Sequence, residues 1–275
     1  MALNLFSRRP AKADAPASAP SLVEAASHLE DGAAVDDGFM ALLVREMTSR
    51  AVAAGAGPDW VPPRLTGLRV RRNGLPERWT SNGNLMLVGP DAVPIEPQPS
   101  FIPIPPTNCL CVLGANVRLG RTALVSDGAL LVVGDQANLY ASAASVQGRS
   151  TILIGEHTTS TFDAQLDARN GGAILVGSDG MWANGVRFMT DDMHAIRDQK
   201  TGARLNGFGG KIVLEPHVWL GEQVQVMAGA RIGTDTVIGA GALVKNASLP
   251  PNSVCVGRPA KPVRRGVTWS REDKP

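Results

Sequence analysis

Residues 214–257 read LEPHVWLGEQVQVMAGARIGTDTVIGAGALVKNASLPPNSVCVG, and an aliphatic residue returns at almost every sixth position. The series is Leu214, Leu220, Val226, Ile232, Ile238, Val244 and, past Pro250, Val256. Glycine follows directly at Gly221, Gly233, Gly239 and Gly257. A period of six suits neither a helix nor a two-sided strand. It suits a coil of short strands, each turning one side chain inward before a tight corner where glycine relieves the backbone. Upstream, Leu113-Gly114, Leu119-Gly120, Val133-Gly134, Ile154-Gly155 and Val176-Gly177 repeat the pairing. The phase slips between Leu119 and Val133, so the early coils are expected to contain bulges or short loops.

The ladder is also interrupted. It runs from Val176 to Trp182 and Phe188, then resumes only at Leu214. One step of six leaves about twenty residues over. Residues 190–209, TDDMHAIRDQKTGARLNGFG, are therefore expected to leave the coil as an excursion. The segment is polar, contains glycine and carries His194. Loops standing on a rigid scaffold are where function concentrates.

Working toward the N-terminus, residues 1–35 are rich in Ala, Pro, Ser and Asp and predict a flexible tail. Residues 36–107 predict a helix followed by an extended segment. The helix spans about 37–54, capped by Asp36 or Asp37, with an apolar stripe of Phe39, Leu42, Leu43, Met47 and Val52. Gly55, Gly57 and Pro58 end it. A strand is expected near Leu65–Val70, then an extended connector marked by Pro90, Pro94, Pro97, Pro99, Pro103, Pro105 and Pro106. The short strands begin near Asn108 and run to 269, and residues 270–275 form a closing tail.

Composition agrees with a solenoid: 30 glycines in 275 residues exceed the ordinary share of roughly 7%. Aromatics are 4%, as expected if a narrow interior has no room for rings. The net charge of +2 gives no reason to propose a nucleic-acid partner. Cys109, Cys111 and Cys255 are read as small buried hydrophobes in a reducing compartment. No run is long enough to span a membrane, the apolar stretch at the start is too short for a signal peptide, and no apolar stretch follows Arg8-Arg9. A cytoplasmic protein is expected.

The aliphatic-glycine ladder resembles the left-handed parallel β-helix of the hexapeptide-repeat acyltransferases. NSVCVGRPAKPVRRGVTW, residues 252–269, looks like the family's solenoid ending. TDDMHAI (190–196), TGARLN (201–206) and HVWLG (217–221) resemble the branch that O-acetylates bacterial capsule and other surface polysaccharides. The resemblance covers about residues 108–269. It implies left-handed crossovers, an exception to the usual rule for parallel strands. It further implies a homotrimer with sites between subunits, acetyl-CoA as donor, and a carbohydrate or sugar-nucleotide acceptor.

Moving an acetyl group from a thioester to a hydroxyl needs a base, an oxyanion donor and positioning. His194 is the candidate base, since an imidazole of ordinary pKa is mostly neutral at pH 7. Asp191 or Asp192 is the candidate to orient it. Trp219 is expected to face a cleft, and the resemblance gives the matching Trp a functional role near the donor. Lys245, Arg258, Lys261, Arg264 and Arg265 suit the phosphates of coenzyme A. Ala228, Gly229, Ala240 and Gly241 suit the pantetheine arm by exposing backbone amides. His157 and His217 each sit three residues after a ladder position, on turns or outward faces, and His28 lies outside the ladder. With no close histidine pair, the three-His zinc site of the related γ-class carbonic anhydrases is not expected, and no metal is called for. The rival readings are transfer to another small acceptor (an amino-sugar nucleotide or serine), and a non-catalytic β-solenoid scaffold.

Overall fold

The computed structural model describes residues 22–57, 60–93 and 105–273. Residues 1–21 of the expected tail, Pro58, the connector prolines Pro94, Pro97, Pro99 and Pro103, and residues 274–275 lie outside the described residues. The chain is mainly β, a parallel solenoid of about seven turns with a helical segment ahead of it.

The first face stacks Leu85–Val88, Leu110–Leu113, Leu130–Val133, Thr151–Ile154, Ala173–Val176, Lys211–Leu214, Arg231–Ile232 and Ser248–Leu249, all parallel. The second face includes Thr159–Ser160, Met181–Trp182, Trp219–Leu220 and Val237–Ile238. The third includes Gln165–Ala168, Arg187–Met189, Gln225–Met227 and Leu243–Val244. Because Leu85–Val88 already pairs in parallel with Leu110–Leu113, the ladder starts a coil before Asn108. The strand expected at Leu65–Val70 forms as Arg69–Arg71, antiparallel to Leu85–Val88.

Six of the seven ladder residues point inward as expected, with Leu214, Leu220, Val226, Ile232, Ile238 and Val244 all buried. Val256 does not; it is 39% exposed. Leu249 and Cys255 take the inward places, opposite Ile232 and Ile238. The corner at Asn246 is one residue shorter than the corner at Gly229, which moves the phase by one. The slip read between Leu119 and Val133 is a bulge: the register shifts between Leu119 and Arg121.

The interior does hold rings. Trp182 and Phe188 are fully buried, their centroids 4.8 Å apart. Small neighbours make the room. Ser160 stands opposite Trp182 in the coil before. A Cβ added at Gly180 would lie 3.2 Å from the Trp182 indole nitrogen.

The ladder glycines act by close approach rather than by backbone conformation. A Cβ at Gly177 would lie 2.4 Å from Pro216 N, and one at Gly233 would lie 2.5 Å from Pro251 N. The left-handed backbone falls three residues after each inward residue, at His157, Asp179, His217, Asp235 and Asn252. Asn, Asp and His tolerate that conformation better than other side chains. These residues stack along the first corner, each amide bonded to the coil before, as in His217 N to Ser178 O at 2.8 Å.

Four-residue strands on the first face are buried on both sides. One side fills the prism. The other is covered by the Asp37–Ala53 helix, which buries Phe39, Leu43, Met47 and Ala51 against Leu110, Val112, Leu130, Val132 and Val213. Each fully buried large side chain contributes on the order of 1.5–3 kcal/mol. Asp36, not Asp37, caps the helix, accepting from Phe39 N at 2.7 Å. Val52, read as part of the stripe, is exposed, and Ala51 takes its place. At the far end the Arg231 guanidinium donates to Gly55 O and to Ala54 O, satisfying carbonyls at the helix terminus. All three cysteines are buried free thiols. Burial pushes Cys109 up to about 11 and Cys111 up to about 12.

Candidate active site

Residues 190–210 join the Arg187–Met189 strand to Lys211–Leu214 at the third corner and project from the prism as a small hairpin. Leu205 N bonds Ile196 O at 2.7 Å, Asp198 N bonds Ala203 O at 2.8 Å, and the Asp198 carboxylate closes the tip on Thr201 N. The foot rests on the coil before. Gly209 has φ +64, and a Cβ there would lie 2.3 Å from Asn170 O, so only glycine passes.

Asp191 sits at this foot, buried. Its carboxylate accepts from Met193 N at 2.7 Å and Gly209 N at 3.3 Å, with the Arg204 guanidinium 4.0 Å away. Burial works to raise its pKa. Hydrogen bonds from Asn170, Met193 and Gly209, with the charge of Arg204, outweigh burial and hold it below the usual carboxylate range. Asp192 faces outward, 3.2 Å from Asn206 Nδ2 and 3.6 Å from the Lys245 ammonium. His194 is exposed. Its backbone is fixed at both ends: N bonds Asp192 O at 2.8 Å and O accepts from Asn206 Nδ2 at 2.8 Å. Among the described residues no hydrogen bond reaches its imidazole. Asp191, Asp192, His194 and Lys245 thus gather at one corner, with Asn206 and Arg204 as supports the sequence did not single out. Within one chain neither carboxylate bonds the His194 ring.

Trp219 lies elsewhere, at the start of the second face, pointing out and 37% exposed. The Lys211–Leu214 strand separates its corner from that of His194, a span of about 13 Å at the usual rise per residue. Beside Trp219 is a cluster that sequence reasoning missed. His217 Nδ1 meets the Asp235 carboxylate at 2.8 Å and Nε2 lies 3.7 Å from Asp179. Trp269 covers this ring at 4.0 Å between centroids, lies 6.1 Å from Trp219, and donates its indole N–H to His217 O at 2.9 Å. Thr268 donates to Asp235, and Arg271 bonds Asp179, Thr159, His157 O and Gly180 O. The chain after the last coil therefore straps the first corner. His217 and Asp235 are 18 residues apart, one full coil of three six-residue steps, and that spacing was the available signal.

The small residues divide between corners, with Ala228-Gly229 at the third and Ala240-Gly241 at the second. Both glycine amides are already bonded between coils, Gly229 N to Lys211 O and Gly241 N to Glu222 O. Arg258 donates to Gly241 O and to Gln225. Lys261, Arg264 and Arg265 are exposed along Ala260–Arg265, the outer strand of an antiparallel hairpin with Ser253–Gly257.

Residues 211–246 match the family model described as bacterial transferase hexapeptide (six repeats). The chain is 33% identical over 127 residues to the polysialic acid O-acetyltransferase of Escherichia coli O1:K1 / APEC, covering 46% of this chain and 40% of that protein. It spans less than half the length of the curated relatives it matches. Among solved structures, the polySia-specific acetyltransferase NeuO superimposes with a TM-score of 0.56 at 24% identity, over 62% of this chain and 78% of that one. The polysialic acid O-acetyltransferase OatWY gives 0.52 at 26% identity, over 62% and 76%. By its repeat and its parallel β-helix, the chain is similar to the bacterial hexapeptide transferases and to the polysialic acid O-acetyltransferases.

Proposed function

We propose that the protein transfers an acetyl group from acetyl-CoA to a sugar hydroxyl of a surface polysaccharide or its precursor. The observation that carries the reading is the excursion itself. A buried, ionised Asp191 pins both of its ends, and the loop presents an exposed His194 with no hydrogen bond on its ring among the described residues. The relatives' names supply the acetyl group and the glycan.

In the proposed reaction His194 takes the proton of the acceptor hydroxyl as that oxygen attacks the thioester carbonyl. The tetrahedral oxyanion collapses with cleavage of the carbon–sulfur bond. The imidazolium returns its proton to the leaving thiolate, giving acetyl ester and coenzyme A without an acyl-enzyme. Asp191 acts here by holding the loop rather than the ring. Trp219 belongs to a different corner, so a site using both residues joins two copies of the chain, in keeping with the homotrimer that the resemblance implies. The partner copy then also supplies or completes the group that orients the imidazole. The exposed cations Lys261, Arg264 and Arg265, with Arg258 and Lys245 nearer the prism, suit the pyrophosphate and 3′-phosphate of the donor. The pantetheine arm would pass Ala228, Gly229, Ala240 and Gly241 for their small size, since the two glycine amides are taken. No metal enters this reaction. Among the described residues no helix is long and apolar enough to cross a membrane, and we place the reaction in the cytoplasm, where acetyl-CoA is made.

The test is thiol release from acetyl-CoA by the full chain against a panel of polysaccharides and sugar nucleotides. Release with a glycan supports the reading; release with no carbohydrate acceptor overturns it. For the shared site, His194→Ala and Trp219→Ala chains are co-assembled. Recovered activity in the mixture supports a site built from two copies, and no recovery from two folded, inactive parents contradicts it.

A further inference from the structure

His194 leaves a strained turn. Met193, directly before it, has φ +64, in the left-handed region that non-glycine residues rarely adopt. His194 N bonds Asp192 O at 2.8 Å, a three-residue turn with Met193 at its centre. Such a conformation is costly and persists only where its surroundings hold it. On the near side Asp191 holds it, accepting from Met193 N at 2.7 Å. On the far side one side chain does so, that of Asn206.

Asn206 Nδ2 donates to His194 O at 2.8 Å, and Asn206 Oδ1 accepts from Ile196 N at 2.8 Å. One carboxamide therefore bridges the two peptide groups that flank Ala195, offering the donor and acceptor that a neighbouring strand would offer. It extends the hairpin, where Leu205 N bonds Ile196 O and Arg197 bridges Arg204, by one rung toward His194. Nδ2 also lies 3.2 Å from the Asp192 carboxylate, which lies 3.6 Å from the Lys245 ammonium on the solenoid. Asn206 is itself fixed: Arg204 Nε donates to Asn206 O at 3.1 Å, and that guanidinium lies over the Phe208 ring at 4.8 Å. Other side chains fit this place poorly. Aspartate lacks the donor for His194 O and would set a second carboxylate against Asp192, and leucine, of similar size, offers neither bond.

We propose that Asn206 is the positioning residue of His194, its carboxamide fixing the peptide groups on either side of Ala195 and so aiming the imidazole. The proposal rests on the acetyl-transfer reading, in which His194 is the base.

The experiment compares Asn206→Ala, Asn206→Asp and His194→Ala in the full chain with Asp198→Ala, which removes the bonds closing the hairpin tip on Lys200 and Thr201. In Asn206→Ala, kcat on the best acceptor of the panel is expected to fall about ten- to a hundredfold, as for a displaced reacting group. KM for acetyl-CoA stays, and the acidic limb of the pH profile survives because the imidazole remains, whereas His194→Ala loses that limb. Amide hydrogen exchange reads the clamp without substrate: Ile196 loses protection in Asn206→Ala while Met193 and Gly209 keep theirs. Asn206→Asp keeps the acceptor for Ile196 N, so protection there is retained while kcat falls as in Asn206→Ala, a split that a merely structural prop would not give. Asp198→Ala keeps its kcat. Native kcat in a folded Asn206→Ala chain, with His194→Ala inactive, overturns the proposal and leaves the base standing. Full activity in both removes the base reading and the proposal with it. Unchanged exchange at Ile196, loss of protection at Met193 and Gly209, or an equal fall of kcat in Asp198→Ala also overturns the proposal.

Discussion

Asp191→Ala perturbs the loop without touching the solenoid core. The carboxylate accepts two backbone N–H bonds, from Met193 and Gly209, at the two ends of the excursion. A hydrogen bond to a charged group contributes about 1.5–3 kcal/mol. Taking the lower figure for each gives about 3 kcal/mol lost from the free energy that keeps the loop closed, which raises its open population roughly a hundredfold. The melting temperature should move little, because the excursion stands outside the buried core. Amide hydrogen exchange reads the effect directly: Met193 and Gly209 lose protection while Leu214 and Ile232 keep theirs. Turnover falls with the loop, and Asp191→Asn, which keeps an acceptor oxygen, recovers part of both. The pH dependence has a definite sign. The folded carboxyl is depressed, so its contribution is fully present above the ordinary carboxylate pKa. It disappears only as pH falls through the lower folded value, so loop protection is flat through neutrality and fails in acid. Unchanged exchange at Met193 and Gly209 in Asp191→Ala would refute the reasoning, as would a melting shift as large as that of a core truncation.

Further outcomes follow from the packing. Trp182→Ala empties a fully buried ring site and is expected to cost about 3–5 kcal/mol, seen as a large drop in the denaturant midpoint. Trp269→Ala removes a ring that is 8% exposed and packed on His217; it should lower stability and alter the fluorescence of neighbouring Trp219, whereas Val263→Ala on an exposed strand should do neither. With Cys109 pushed up to about 11 and Cys111 up to about 12 by burial, thiol reagents at pH 8 should leave both unmodified in the folded chain and label both in denaturant.

The sequence disclosed the solenoid because each coil stamps its period on the inward residues, from Leu214 to Val244. It misplaced the last step because one short corner at Asn246 moves Val256 outward and Cys255 inward. It missed the first coil at Leu85, where the inward pattern is cut off by the proline-rich stretch. Composition argued against buried rings, yet Ser160 and Gly180 make room for Trp182, a compensation visible only once the coils are stacked. The interruption before Leu214 located the His194 loop, but not what fastens it. Asp191 reads as a partner for the histidine three residues on, and only the fold shows its oxygens spent on Met193 and Gly209. The contact of His217 with Asp235 was legible in their one-coil spacing, but the cover of Trp269 comes from the closing strap, which no spacing reveals.

The central claim is that the excursion exists to deliver the His194 imidazole as a base. The measurement is the rate of coenzyme A release by His194→Ala and His194→Gln chains of unchanged melting temperature, on the best acceptor from the panel, over pH 5–9. Loss of a general base predicts a fall of about 10²–10⁴ in kcat with little change in KM for acetyl-CoA, and disappearance of the acidic limb of the rate profile. Full activity with an unaltered pH profile in either variant would contradict it.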